Sequence, residues 1–165
     1  MNRTTPLRTL ASALVASTLF CGAAAGEERL LADFKDVPGP RWQSVNDGVM
    51  GGRSRGDFKL TERGTLLFSG EISLENNGGF SSIRTQRQPL EVAGYQGIAV
   101  RFKGDGRAYK ISLRSSRAPG MLAYWAELET VAGQWTSARI PFSKWVPTSF
   151  GRVLSGPKLD VATIE

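Results

Sequence analysis

Residues 97–114 read GIAVRFKGDGRAYKISLR, and this stretch decides the fold class. Apolar residues alternate with polar or charged residues on both sides of a Gly-Asp-Gly turn, which is typical of strands with one buried and one exposed face. Because Asp-Gly between two alternating runs favours a tight turn, the stretch predicts an antiparallel hairpin. Four cations then share the exposed face of that hairpin: Arg101, Lys103, Lys110 and Arg114.

The same two-residue period recurs along most of the chain. It predicts further strands over residues 64–74, 122–129 and 134–142, separated by turns that contain glycine. One helical turn is expected at 142–146, and no longer stretch beyond the first 25 residues follows a helical period. With 19 glycines in 165 residues, the pattern predicts an all-β fold, either a β-sandwich or a jelly roll.

The composition excludes whole classes of catalytic site. The chain has no histidine and one cysteine, so Ser-His-Asp or Cys-His catalysis, Cys/His zinc sites and an internal disulfide cannot be built. The formal charge is +6, yet no basic run or basic helix indicates binding to nucleic acid. Acidic residues are present, but they follow no calcium-loop spacing. We therefore expect no enzyme activity, no metal and no cofactor.

The N-terminal segment has the composition of a targeting sequence. Residues 1–25 carry Arg3 and Arg8 but no acidic residue, and a mostly apolar run leads to three alanines that end at Ala25. This pattern predicts a signal peptide cleaved near Ala25, a periplasmic or secreted protein, and no stable membrane span after cleavage. A lipoprotein acylated at Cys21 is disfavoured, because Phe20 stands where a small residue is expected.

Two segments depart from plain strand patterning. Residues 42–54 read WQSVNDGVMGGRS, and residues 74–84 read LENNGGFSSIR. Both place Asn, Asp and paired glycines beside large apolar residues. Paired glycines indicate positive φ angles or a close approach of the backbone, so we expect the two segments to form specialised loops.

The blocks that carry a family resemblance are residues 46–54, Phe68-Ser69-Gly70, residues 76–84, residues 101–109, and Trp135 with Ile140-Pro141-Phe142. The chain resembles the complex I intermediate-associated protein 30 family from about residue 31 to the last residue. The resemblance implies a galactose-binding-like jelly-roll β-sandwich, here one domain over residues 26–165. It also implies a chaperone-like assembly factor whose protein partner is a membrane or respiratory complex. Two features depart from the family. The leader directs the chain out of the cytoplasm, and the chain ends where members usually continue, which predicts that C-terminal strands are lacking.

The candidate residues have structural as well as functional interpretations. Asp47 either contacts a partner or accepts hydrogen bonds from its own loop. Arg84 is a candidate ion-pair partner for Asp47, and Trp125 suggests an alternative function as a carbohydrate-binding module. The candidate partner- or ligand-binding residues are Asp47, Met50, Gly51, Gly52, Ser54, Asn77, Gly78, Gly79, Phe80, Arg84, Arg101, Asp105 and Trp125.

Overall fold

Short strands joined by turns make up most of the computed structural model, which describes residues 8–20, 28–35 and 41–165. The only helical elements in these ranges are 3-10 turns of three or four residues, so the all-β prediction is confirmed. The 3-10 turns are Asp47–Met50, Glu75–Asn77, Phe142–Lys144 and Val161–Thr163. The strands are β1 (Arg8–Phe20), β2 (Arg29–Ala32), β3 (Trp42–Asn46), β4 (Arg55–Thr61), β5 (Thr65–Ile72), β6 (Ser81–Thr85), β7 (Gly97–Lys103), β8 (Tyr109–Leu113), β9 (Ala123–Leu128), β10 (Trp135–Pro141), β11 (Val146–Ser149) and β12 (Arg152–Val153).

Strand positions follow the two-residue period closely. β7 has the bounds that the pattern predicts, and β5, β8, β9 and β10 differ from their predicted ranges by one or two residues at each end. The expected helical turn is the 3-10 turn Phe142–Lys144. The period did not predict β2, β3, β4, β6, β11 or β12, and β3 and β6 occupy parts of the two segments that were expected to form loops.

Strand pairing departs from the prediction at the Gly-Asp-Gly turn. β7 pairs with β10, from Gly97 opposite Pro141 to Lys103 opposite Trp135, whereas β8 pairs with β9. β7 and β8 belong to different sheets, so the predicted hairpin, with its four cations on one face, is wrong. The turn instead joins two sheets. The Thr130 side chain approaches Gly104 closely, and the Thr130 hydroxyl accepts a hydrogen bond from the Gly106 N–H at 3.0 Å.

The N-terminal segment also differs from expectation. Residues 1–25 were expected to lie outside the fold as a leader, but Arg8–Phe20 forms β1 and pairs with β5 from Arg8 opposite Ile72 to Leu14 opposite Leu66. An uncharged apolar run fits a buried strand as well as a leader, so the pattern does not separate the two. The predicted cleavage position near Ala25 and Cys21 both lie outside the described residues.

Backbone contacts divide the chain into two compact units, which we describe separately; the single-domain prediction stays a prediction. The first unit includes residues 33–86, as far as they are described. In it β4 pairs with β5, and β3 pairs with β6 from Trp42 opposite Thr85 to Asn46 opposite Ser81. Leu66 is fully buried, and so is Asp47. A charged side chain therefore lies among the most buried groups of this unit.

The second unit includes residues 87–165 and has an apolar interior. It contains the β7–β10 pair and a four-stranded sheet in the order β12-β11-β9-β8. Both contribute inward-facing side chains, as the sandwich prediction requires. The buried apolar residues from these strands are Ile98, Val100, Phe102, Leu113, Ala123, Tyr124, Leu128 and Ile140.

The last residues of the chain are tied to this interior. Ile164 is only 2% exposed, and its carbonyl accepts a hydrogen bond from the Leu90 N–H at 2.9 Å. On the other side, the Ser116 N–H donates to the Thr163 carbonyl at 2.8 Å and the Glu165 N–H to the Arg114 carbonyl at 3.0 Å. The segment thus joins two separate parts of the second unit.

This anchoring predicts that Ile164→Ala lowers the free energy of unfolding by about 2–5 kcal/mol, because it removes a buried side chain and leaves a cavity. Urea denaturation followed by tryptophan fluorescence measures the change. Val153→Ala is the matched control, since Val153 is 71% exposed and should change stability by less than about 0.5 kcal/mol. Equal effects of the two substitutions would contradict the assigned role of Ile164.

Candidate functional site

The carboxylate of Asp47 is the centre of the polar loops predicted from the sequence. Asp47 begins the 3-10 turn after β3 and is fully buried. Its Oδ1 accepts the Ser54 N–H at 2.9 Å, and its Oδ2 accepts the Ser54 hydroxyl at 2.5 Å. Oδ2 also accepts the N–H groups of Gly79 at 2.7 Å and Phe80 at 3.3 Å. Through Ser54 Oγ, which accepts the Ser73 N–H at 3.0 Å, the contacts reach a third segment. We call these five residues the Asp47 network.

Two glycines make room for this carboxylate. A Cβ on Gly52 would lie 2.5 Å from Asp47 Oδ1, and one on Gly78 would lie 2.6 Å from Asp47 Oδ2 and 2.8 Å from the Ser73 carbonyl oxygen. Gly51 adopts a φ of 89°, which favours glycine for a different reason. One glycine of each pair, Gly52 and Gly78, is thus explained by the position of the Asp47 side chain, whereas Gly51 and Gly79 have positive φ angles.

Asn46 is a second organising residue, and the sequence analysis did not select it. Its side-chain amide donates to the Gly56 carbonyl at 3.1 Å and accepts the Gly56 N–H at 3.0 Å. The Ser81 hydroxyl donates to the same amide oxygen at 2.6 Å. Asn46 therefore joins the end of β3 to the starts of β4 and β6. Asn46 directly precedes Asp47 in the 42–54 segment, and this position could have identified it from the sequence.

Burial and hydrogen bonding act in opposite directions on Asp47. Burial raises the pKa of Asp47, but the hydrogen bonds from the Ser54 hydroxyl and from the N–H groups of Gly79, Ser54 and Phe80 outweigh it and hold the pKa below its ordinary value. Asp47 is therefore ionised at neutral pH. Because its oxygens already accept four hydrogen bonds from the protein, it has little capacity left for a ligand.

Three apolar side chains on the loops around this network are more than half exposed. Val49 and Met50 are 77% and 56% exposed, and Leu74 is 73% exposed. Arg53 and Glu75 form an ion pair at 2.7 Å, and the Asn76 amide donates to the Gly51 carbonyl at 3.1 Å, so the two loops are linked directly. We call Val49, Met50 and Leu74 the apolar rim. Sequence reasoning selected only Met50 from it.

The two remaining predicted residues of the first unit, both of which the structure describes, donate no hydrogen bond to Asp47. Asn77 is exposed, with a φ of 57°. Arg84 lies in β6 opposite Gln43, and its Nε donates to the Ser82 hydroxyl at 3.1 Å. Among the described residues no ion pair joins Arg84 to Asp47, so that predicted pairing is wrong. The donors that satisfy Asp47 come from Ser54 and the 79–80 backbone instead.

In the second unit the candidates do not form one cluster. Arg101 lies 4.9 Å from the ring centroid of Trp135, whereas the ring of Trp125 is covered by the Lys110 ammonium at 4.7 Å. Asp105 accepts the Tyr109 hydroxyl at 3.0 Å and pairs with Arg107 at 3.2 Å. Each of these two rings thus has a cation over one face. Asp105 stabilises the turn in which it lies.

The described part of the chain contains no group of three His, Cys, Asp or Glu side chains placed to hold a metal ion. Within the same residues, no helix has both the length and the apolar character needed to cross a membrane.

Comparison with known proteins identifies the family. The family model described as complex I intermediate-associated protein 30 matches residues 32–165. This chain belongs to that family. The match includes the Asp47 network and the apolar rim, and it supports the galactose-binding-like fold that the resemblance implies.

Two relatives carry the family name. The Drosophila melanogaster protein is 30% identical over 150 residues, which cover 78% of this chain and 50% of the relative. A Caenorhabditis elegans protein is 29% identical over 114 residues, which cover 56% of this chain and 33% of the relative. The chain therefore spans half or less of the length of these two relatives.

The names of both relatives also say that they are mitochondrial. This finding overturns the prediction of a periplasmic or secreted protein, and a secretory signal peptide has no support. The composition of residues 1–25 explains the error. Arginine and serine without acidic residues are also typical of mitochondrial import sequences, so composition does not distinguish the two destinations.

The Asp47 network predicts a specific dependence of stability on pH. The lowered pKa in the folded state means that Asp47 stabilises the fold above its unfolded pKa of about 4, and that this contribution is lost as the pH falls through the folded pKa. Asp47→Asn should lower the free energy of unfolding by about 3 kcal/mol at pH 7, since an amide cannot accept all four bonds. The difference from the wild type should shrink in acid.

Chemical denaturation across the acidic range measures this difference. Asp57→Asn is the control. Hydrogen bonds from the Ser44 hydroxyl and the Phe58 N–H also lower the pKa of Asp57, but this residue is exposed, so its substitution should change the free energy of unfolding much less. A pH-independent effect of Asp47→Asn would contradict the role given to the charge.

The glycine at 78 should tolerate no side chain. Gly78→Ala would place a Cβ against Asp47 Oδ2 and two carbonyl oxygens, so we expect it to destabilise the protein by about 1–3 kcal/mol. Gly48→Ala is the matched control and should destabilise the protein less, because nothing lies within 4 Å of the added Cβ and the φ of Gly48 is not in the left-handed region. Thermal unfolding compares the two variants, and a neutral Gly78→Ala would exclude the tight contact.

Proposed function

We propose that this protein is a non-catalytic, chaperone-like assembly factor that binds protein intermediates of respiratory complex I through the apolar rim. Family membership carries the proposal, because both relatives are named for association with complex I intermediates. Their names also favour the mitochondrion as the place of action. The lack of histidine and the single cysteine agree with a binding role, since the commonest catalytic side chains are missing or nearly so.

The form of the rim supports a protein partner. Its three apolar side chains are more than half exposed and lie on two loops that the Asp47 network holds in place. Apolar side chains on rigid backbone bind a partner with little loss of conformational entropy. The Arg53–Glu75 pair provides polar groups of the kind that surround apolar contacts in protein interfaces. Asp47, Gly52 and Gly78 then act as positioning residues.

The carbohydrate-binding alternative is not taken further. It relied on an exposed Trp125, but this residue is partly buried and Lys110 lies over one face of its ring. Nothing in the names of the relatives refers to a glycan.

Combined Val49→Ser and Leu74→Ser substitutions test the role of the rim. We expect the wild-type protein, tagged and expressed in its own cells, to comigrate on native gels with partly assembled complex I. The double variant should lose at least about fivefold of this association, because burying a Val or Leu side chain contributes about 1.5–3 kcal/mol. Immunodetection of complex I subunits in the same band provides the measurement.

Leu60→Ser is the matched control, since Leu60 is 49% exposed on β4 of the same unit. It should leave comigration unchanged, and all three proteins should have the same unfolding midpoint. Undiminished comigration of the folded double variant would rule out the rim. Absence of complex I subunits from the wild-type band would rule out the proposed function itself.

A further inference from the structure

The β11–β12 hairpin of the second unit has an apolar tip. Thr148 pairs with Val153, and Ser149 pairs with Arg152, so Phe150 and Gly151 form the two-residue turn. Phe150 is 75% exposed, Val153 is 71% exposed and Leu154 is 40% exposed. β12 is an edge strand of its sheet, and every residue from 150 to 158 is exposed.

The residue at the first position of this turn is unfavourable for its backbone conformation. Phe150 and Gly151 have φ angles of 46° and 79°, and a two-residue turn with both φ angles positive favours Asn-Gly. A bulky aromatic residue is unfavourable in this conformation. Phe150 takes part in no ring stacking or cation–π contact among the described residues. An exposed aromatic side chain that strains its own turn indicates a role outside the folded chain.

The sequence of the hairpin and its neighbouring segments is basic, although Arg139 pairs with Glu28 and Asp160 lies two residues after Lys158. Residues 130–159 contain no Asp or Glu and four basic residues. Arg152 adjoins the turn, and Lys158 lies near the base of the hairpin. Its carbonyl accepts the Tyr124 hydroxyl at 3.4 Å, and Tyr124 is opposite Pro147 of β11. No ion pair is formed by Arg152 or Lys158 within the described part of the chain.

We propose that this hairpin docks the protein on an anionic lipid surface, with Phe150, Val153 and Leu154 in the interface and Arg152 and Lys158 at the headgroups. Apolar area and electrostatic attraction to anionic lipids add in such binding, and the hairpin provides both. An acidic protein segment is the competing occupant, since aromatic side chains also anchor protein interfaces, and the vesicle experiment distinguishes the two. The inference is independent of the apolar rim and its partner.

Vesicle co-sedimentation of the full chain tests the proposal. We expect binding to vesicles of phosphatidylcholine mixed with phosphatidylglycerol, weak binding to phosphatidylcholine alone, and a decrease at high salt. Equal binding to the two kinds of vesicle would overturn the proposal. So would binding to soluble polyglutamate without binding to the anionic vesicles, which would assign the hairpin to an acidic protein.

Phe150→Asn separates lipid binding from stability. Asn-Gly suits the turn, so this variant should be at least as stable as the wild type, while its vesicle affinity should fall about tenfold. Arg152→Glu should also weaken binding about tenfold, because each basic residue near an anionic surface contributes about fivefold. Undiminished binding by either folded variant would overturn the proposal.

Two controls match these substitutions. Met121→Ser removes an apolar side chain that is 49% exposed in the same unit, and Lys59→Glu reverses a charge on β4. Both should bind anionic vesicles within about twofold of the wild type. If the controls weaken binding as much as the hairpin variants, the attraction comes from overall charge or apolar exposure, and the proposal fails.

Discussion

A buried carboxylate accepting four hydrogen bonds is the constraint that determines the loops of the first unit. Taking the charge of Asp47 out of water is unfavourable unless every oxygen is satisfied, and the donors come from Ser54 and from the backbone at 79 and 80. Those donors lie on loops distant in sequence, so satisfying one charge brings the loops together. The glycines at 52 and 78 follow from the same contact, because the carboxylate occupies the space that a Cβ would need.

In these loops, the residues that fix the backbone conformation are different from the residues that are exposed to solvent. A sequence motif rich in Asp, Asn and Gly suggests a polar binding site, yet the side chains of Asn46 and Asp47 are used for internal hydrogen bonds. The apolar groups presented to solvent are Val49, Met50 and Leu74, of which the sequence analysis selected only Met50. The polar motif fixes the backbone geometry, and the apolar neighbours become available for contact.

The two-residue period predicts strand positions in this chain because alternation is a local property of each strand. It gave β7 its bounds, but it did not give the partner of β7. The Asp105-Gly106 turn supplies the local conditions for a hairpin, whereas pairing depends on contacts distant in sequence, such as that of Thr130 with Gly104. The failed pairing of Arg84 with Asp47 shows the same limit of local sequence patterns, because the backbone N–H of Gly79 reaches Asp47 instead. The apolar run of β1 was ambiguous, because its length and hydrophobicity fit both a buried strand and a targeting leader.

Positive φ angles distinguish structural from functional residues in this chain. Asn76 and Asn77 tolerate the left-handed region because their short amide side chains suit it. Phe34 also adopts a positive φ, of 60°, but its ring packs 5.8 Å from that of Trp42, and this contact offsets strain. Phe150 has the strain without such a ring contact among the described residues, and it is more exposed than Met50 or Leu74. Where local conformation and burial both disfavour a residue, folding does not account for it, and the remaining physical explanation is contact with something outside the chain.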